Sequence, residues 1–122
     1  MKTGNRFTGL SKGRTAKRGM MNKTETRYAA DLEIMKANGT IINYWFEPFS
    51  LRLSHAASGQ PARYTPDFLL LYPDGRTVVV DVKGGMVDNA AIVRAKCAAE
   101  LFSLWEFWIV QWKDKKWTTQ EL

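Results

Sequence analysis

The chain has 122 residues, enough for one hydrophobic core and too few for two. A single cysteine excludes an intrachain disulfide and fits a reducing cytoplasm, and one cysteine with one histidine speaks against a zinc site. Of its eighteen Lys and Arg, seven lie in residues 1–24, which hold no acid; eleven then face twelve Asp and Glu in the remainder, so the formal excess of +6 comes entirely from the N-terminal arm.

That arm, residues 1–21, carries Lys2, Arg6, Lys12, Arg14, Lys17 and Arg18, with Lys23 just beyond it. Rich in Gly, Thr and basic residues and poor in apolar ones, it is expected to be flexible when free. Such a segment neutralises phosphates and releases counterions, giving affinity for nucleic acid without sequence preference. The plainer alternative is a solubilising terminus. Nothing in it has the apolar centre of a secretory signal, and no apolar run in the chain reaches membrane-spanning length. Residues 22–122 are expected to form a single domain.

Asn22-Lys23-Thr24-Glu25 opens a helical pattern that stops at Asn38-Gly39. Its apolar stripe is Tyr28, Ala29, Leu32 and Met35, and extending the stripe backward reaches Glu25. Two readings of Glu25 stay open. It is the distal acid of a capping box with Asn22, or it points over a sheet edge as an acidic ligand. Ile41–Leu53 is strand-like but interrupted at Glu47-Pro48, which marks a bulge or an edge. Glu47 is either one more acid near a site or a partly exposed strand residue. His55 falls in Ser54–Pro61, an exposed loop with little claim to a general-base role.

Phe68–Tyr72 and Thr77–Val82 are short, apolar, valine-rich strands flanking Pro73-Asp74-Gly75, a hairpin. Pairing Tyr72 with Arg76 across that turn puts Asp67 opposite Asp81. Opposed strand residues have Cβ atoms about 4.5–5.5 Å apart, close enough for two carboxylates to share a divalent ion. Asp81 and Lys83 project from one face because side chains alternate with period two. Like charges facing each other in a sheet are destabilising unless compensated, and a metal ion compensates them. The bland alternative makes Asp67 a turn residue after Pro66 and Asp81–Lys83 a solvated ion pair.

After Gly84-Gly85, Asp88 caps a second helix with the stripe Ala91, Ile92, Ala95, Ala98, Ala99 and Phe102. Arg94 and Lys96 fall off that stripe and read as solvated, Lys96 reaching a nucleic-acid backbone if its face borders the cleft. Cys97 reads as a buried small residue rather than a nucleophile. Trp105–Trp112 is a nearly continuous apolar run, as in a buried strand, and Trp117 begins a short return strand. The tryptophans read as core or dimer interface. The order α-β-β-β-α-β predicts an α/β fold with a mixed sheet flanked by helices, the last strand lying parallel to Thr77–Lys83 through a right-handed crossover.

Glu25 on a first helix, Pro66-Asp67, and Asp81-Val82-Lys83 on paired strands, followed by a helix and a strand, resemble the PD-(D/E)xK nuclease superfamily over roughly Asn22–Trp112. Within it the chain looks most like small phage-encoded endonucleases related to Holliday-junction resolvases. Aspartate rather than glutamate at position 81 lies within the superfamily pattern. The resemblance implies a restriction-endonuclease-like core, Mg²⁺ or Mn²⁺ as cofactor, and hydrolysis of DNA phosphodiesters, with selectivity for branched DNA in the resolvase-like case. It further implies a homodimer working in the cytoplasm of a host cell, with no organic cofactor and no membrane partner. Asp67, Asp81 and the Val82 carbonyl are the implied metal ligands, Glu25 acts directly or through water, and Lys83 is the catalytic cation. The competing expectation is a non-catalytic nucleic-acid-binding protein that keeps the fold; a third is a structural protein in which these acids only make salt bridges.

Overall fold

The computed structural model describes residues 19–55 and 59–122. Helix α1 spans Lys23–Ala37, followed by strands β1 (Asn43–Phe46), β2 (Leu51–Arg52), β3 (Arg63–Tyr64), β4 (Phe68–Leu71) and β5 (Thr77–Gly84). Helix α2 (Asn89–Leu101) leads to β6 (Glu106–Lys113) and β7 (Lys116–Glu121). Five strands form one mixed sheet in the order β1-β4-β5-β6-β7, while β2 and β3 make a separate two-stranded sheet. Only β5 and β6 run parallel; the other main-sheet pairs are antiparallel. Helix α2 is the crossover that the parallel pair requires. This mixed α/β architecture is compatible with a restriction-endonuclease-like fold.

Each face of the sheet buries one cluster. Against α1 lie Tyr28, Leu32, Phe68, Leu70, Val78, Val80, Val82 and Val110; against α2 lie Leu51, Tyr64, Val79, Ala95, Ala98, Phe107 and Ile109. The alternation of Val78, Val79 and Val80 between the two clusters is the period-two geometry of a strand buried on both sides. Ala95 and Ala98 are fully buried, their small side chains letting α2 lie close to the sheet. Gly84 does the same for α1: a Cβ there would sit 2.5 Å from Thr24 Oγ1. The first turn of α1 therefore rests against the end of β5.

Three expectations need revision. The Ile41–Leu53 stretch is two strands in two sheets, because Glu47 has a left-handed φ of 45° and Pro48 follows it, breaking the ladder. Cys97 is exposed, since it points away from the Ala95–Ala98 stripe. The expected flexible arm does not extend to residue 21: Gly19 N–H donates to Glu47 Oε1 at 2.9 Å, and Met21 packs against the α1-side core. Lys2, Arg6, Lys12, Arg14, Lys17 and Arg18 lie outside the described residues. Strand β7 confirms the short return strand, and Trp117 on it packs edge-on to Tyr28 while donating its Nε1–H to Asp31 at 2.8 Å. Trp105 stacks between Phe49 and Phe102. Both tryptophans serve packing. No helix among the described residues is long and apolar enough to cross a membrane.

Candidate metal and phosphodiester site

The hairpin register follows the Tyr72–Arg76 pairing: Tyr72 N–H donates to the Arg76 carbonyl at 2.9 Å, and Phe68 pairs with Val80. Asp67 stands one residue beyond the paired segment. Its N–H donates to the Val80 carbonyl at 3.0 Å, one position off the register, as at a β-bulge. Its carbonyl accepts the Glu47 N–H at 2.8 Å, which holds the bend from the β1 side. Fixed on both sides, the Asp67 side chain turns onto β5. There Oδ2 accepts the Val82 N–H at 2.7 Å, and the carboxyl group lies beside that of Asp81.

Asp81 is 5% exposed. Lys83 Nζ lies 3.2 Å from Asp81 Oδ2, from the same strand face. Burial first, then the Asp81 charge and the hydrogen bond with Asp81, push the Asp67 carboxyl far above the usual carboxylate range; the Val82 N–H opposes that shift. Glu25 adds to the same upward push, so its charge is felt at the pair.

Glu25 makes the capping-box contacts, which is the first of its two expected roles. It completes the capping box, accepting the Asn22 N–H at 2.9 Å while Asn22 Oδ1 accepts the Glu25 N–H at 2.8 Å. It is also buried, near enough to the end of β5 for its charge to act on Asp67. Among the described residues no three Asp, Glu, His or Cys side chains group closely enough to hold one ion between them. The side chains that could hold an ion directly are therefore Asp67 and Asp81, together with backbone oxygen. The Val82 carbonyl qualifies as the backbone donor: in a strand a residue's N–H and C=O point to the same side, and the Val82 N–H points at Asp67. Hard oxygen donors built on one or two carboxylates, with room for water, suit Mg²⁺ or Mn²⁺. An ion there would offset the like charges of two adjacent buried carboxylates.

A polar cleft of about 200 Å³ opens over Asp81 and Lys83, bounded by Tyr64, Thr65, Ala91 and Arg94. Three of these residues escaped the sequence reading. Tyr64 ends a two-residue strand, and burial, then the Asp81 and Asp67 charges, push its phenol well above its ordinary value. Thr65 links it to Pro66-Asp67. Arg94 is exposed, as its place off the helix stripe predicts, and it also borders the cleft, one turn beyond Ala91 on the helix that follows β5. That connectivity was the available signal. Lys96 is exposed and does not line the cleft, and Lys23 is exposed at the start of α1. His55 is exposed, and the Glu47 side chain is engaged with Gly19.

The family model described as "Protein of unknown function (DUF1064)" matches residues 15–118, which include every described residue of the site. No curated protein matches the chain. Among solved structures, the crystal structure of SSO0001 superposes with a TM-score of 0.50 at 14% identity, covering 80% of this chain and 48% of that one. The chain thus spans about half the length of that protein, and the likeness is one of fold.

Proposed function

We propose, for a chain that belongs to the DUF1064 family of unknown function, a metal-dependent endonuclease activity of the PD-(D/E)xK type that hydrolyses DNA phosphodiester bonds. The observation that carries this reading is the buried Asp67–Asp81 pair with Lys83 Nζ 3.2 Å from Asp81, under a solvent-open cleft. Burying two adjacent carboxylates costs stability, and a protein that used them only for packing would do better with neutral residues. Selectivity for branched DNA, a homodimeric form and a phage origin stay attached to this proposal as properties of the resembling endonucleases.

Asp67, Asp81 and the Val82 carbonyl would hold Mg²⁺ or Mn²⁺, with Glu25 reaching it through water. Such an ion supplies Lewis-acid polarisation of the phosphate and a more acidic water. The residues themselves do the rest. Lys83 presents three N–H donors to the cleft beside Asp81 and stabilises negative charge as it grows on the phosphate oxygens. A lysine suits this because a point charge needs no bidentate alignment. Glu25, held by its capping-box contact with Asn22, keeps an acceptor near the pair that can orient an attacking water. Val82 N–H fixes the Asp67 carboxyl so that the donors are organised before substrate arrives.

The test is cleavage of labelled four-way junction, flap, linear duplex and single-stranded DNA in Mg²⁺, in Mn²⁺ and in chelator, with Asp81→Ala and Lys83→Ala alongside. Metal-dependent cleavage lost in both variants is expected, and the substrate ranking decides whether the enzyme is a resolvase. Tight binding without cleavage in any metal would instead make the chain a nucleic-acid-binding module.

A further inference from the structure

The cleft beside the acid pair has chemistry that the two aspartates and Lys83 do not use. Lys83 is already paired with Asp81. Arg94, from α2 on the opposite wall, makes no ion pair among the described residues. It faces the same space as Thr65, whose hydroxyl class serves as donor or acceptor. At about 200 Å³ the cleft is smaller than the roughly 300–1,000 Å³ of sites that enclose a whole small molecule. Its one aromatic wall, Tyr64, is 5% exposed and offers no free ring face for a base. The space therefore suits part of a polymer, and the part is a backbone group rather than a base.

We infer that Arg94, with Thr65 beside it, binds a backbone phosphate of the nucleic acid next to the phosphate being cut, so that α2 sets the position of the strand in the site. This rests on the proposed phosphodiester substrate and adds a residue and a register to it. A guanidinium binds phosphate through two parallel N–H donors, which fixes orientation as well as charge. The contact reads no base, so the subsite is indifferent to sequence.

Arg94→Ala, Arg94→Lys and, as a control on the same helix, Lys96→Ala would be titrated as full-length proteins with labelled duplex and single-stranded DNA across a range of KCl. Ca²⁺ would be present to fill the oxygen site. Arg94→Ala should bind about tenfold more weakly and lose about 0.9 from the duplex salt slope, or about 0.7 on single strands. Arg94→Lys should keep the slope and recover only part of the affinity. In Mg²⁺, Arg94→Ala should raise KM with kcat held to within about twofold, as for lost uniform binding. An unchanged slope in Arg94→Ala, or an equal fall in Lys96→Ala, overturns the inference. DNA binding with the Arg94 slope effect but no cleavage in any metal removes the nuclease reading and leaves Arg94 as a phosphate contact. No binding of wild type to either DNA overturns both.

Discussion

The two faces of β5 are built from the same valine-rich run and part company at residue 81. Toward α1 the strand presents Val78, Val80 and Val82, all buried against apolar neighbours. Toward α2 it presents Val79, then Asp81, then Lys83, so an equally buried position passes from valine to carboxylate in one step. The first face gains stability from every residue. The second gives some up at Asp81 and gives up more by placing Asp67 against it. On the proposed function, the cost kept at one end of one face, beneath an open cleft, is the cost of the site.

Substitutions should separate the faces. The largest effect is expected on chemistry: Asp81→Asn should abolish metal-dependent cleavage, and Lys83→Ala should cut kcat by about 10²–10³, measured by single-turnover assay. Neither should weaken the fold appreciably. On the other face the pattern reverses. Val80→Ala should cost about 2–3 kcal/mol by urea unfolding, since its fully buried side chain leaves a cavity, while residual activity per folded molecule stays near wild type.

A smaller effect sharpens the contrast by sign. Asp67 carries a carboxyl raised far above its unfolded value, so the cation-free fold binds a proton that the unfolded chain has released. Its stability should fall as pH rises above about 4 and through the raised folded value. Asp67→Asn keeps the acceptor for the Val82 N–H and removes the group that must take up a proton on folding. It should therefore raise the thermal midpoint at neutral pH by about 3–5 °C, equivalent to about 1 kcal/mol, and flatten that fall. A midpoint lowered by this change would mean that the pair stabilises the fold. Least of all, Asn22→Ala should cost about 1 kcal/mol through the lost cap, and it should also lower activity by freeing Glu25.

How much of this was legible in the chain depended on length and periodicity. The hairpin register could be read because Pro73-Asp74-Gly75 fixes the turn and the flanking strands alternate, so Asp67, Asp81 and Lys83 fell into place. The α1 cap and the α2 stripe were equally plain, since both follow helical spacing over three or more turns. A strand of two residues carries no period, so β3 was invisible, and with it the approach of Tyr64 and Thr65 to the acids. Arg94 was missed because a helical wheel says which residues leave the core and not what they face instead. Cys97 was misplaced on composition, as small residues next to Ala98 need not share its face. That Glu25 lies close enough to act on Asp67 was beyond spacing altogether, because helical spacing does not say what the first turn rests against.

The central claim is that Asp67 and Asp81 form a divalent-cation site, and calorimetric titration of Mn²⁺ tests it most directly. Wild type, Asp67→Asn and Asp81→Asn would be titrated near neutral pH in two buffers of different ionisation enthalpy. Saturable binding by wild type, accompanied by proton release because the Asp67 carboxyl is held above its ordinary value, and lost in both variants, is the predicted result. No saturable binding by wild type, or binding that survives both substitutions, would contradict it.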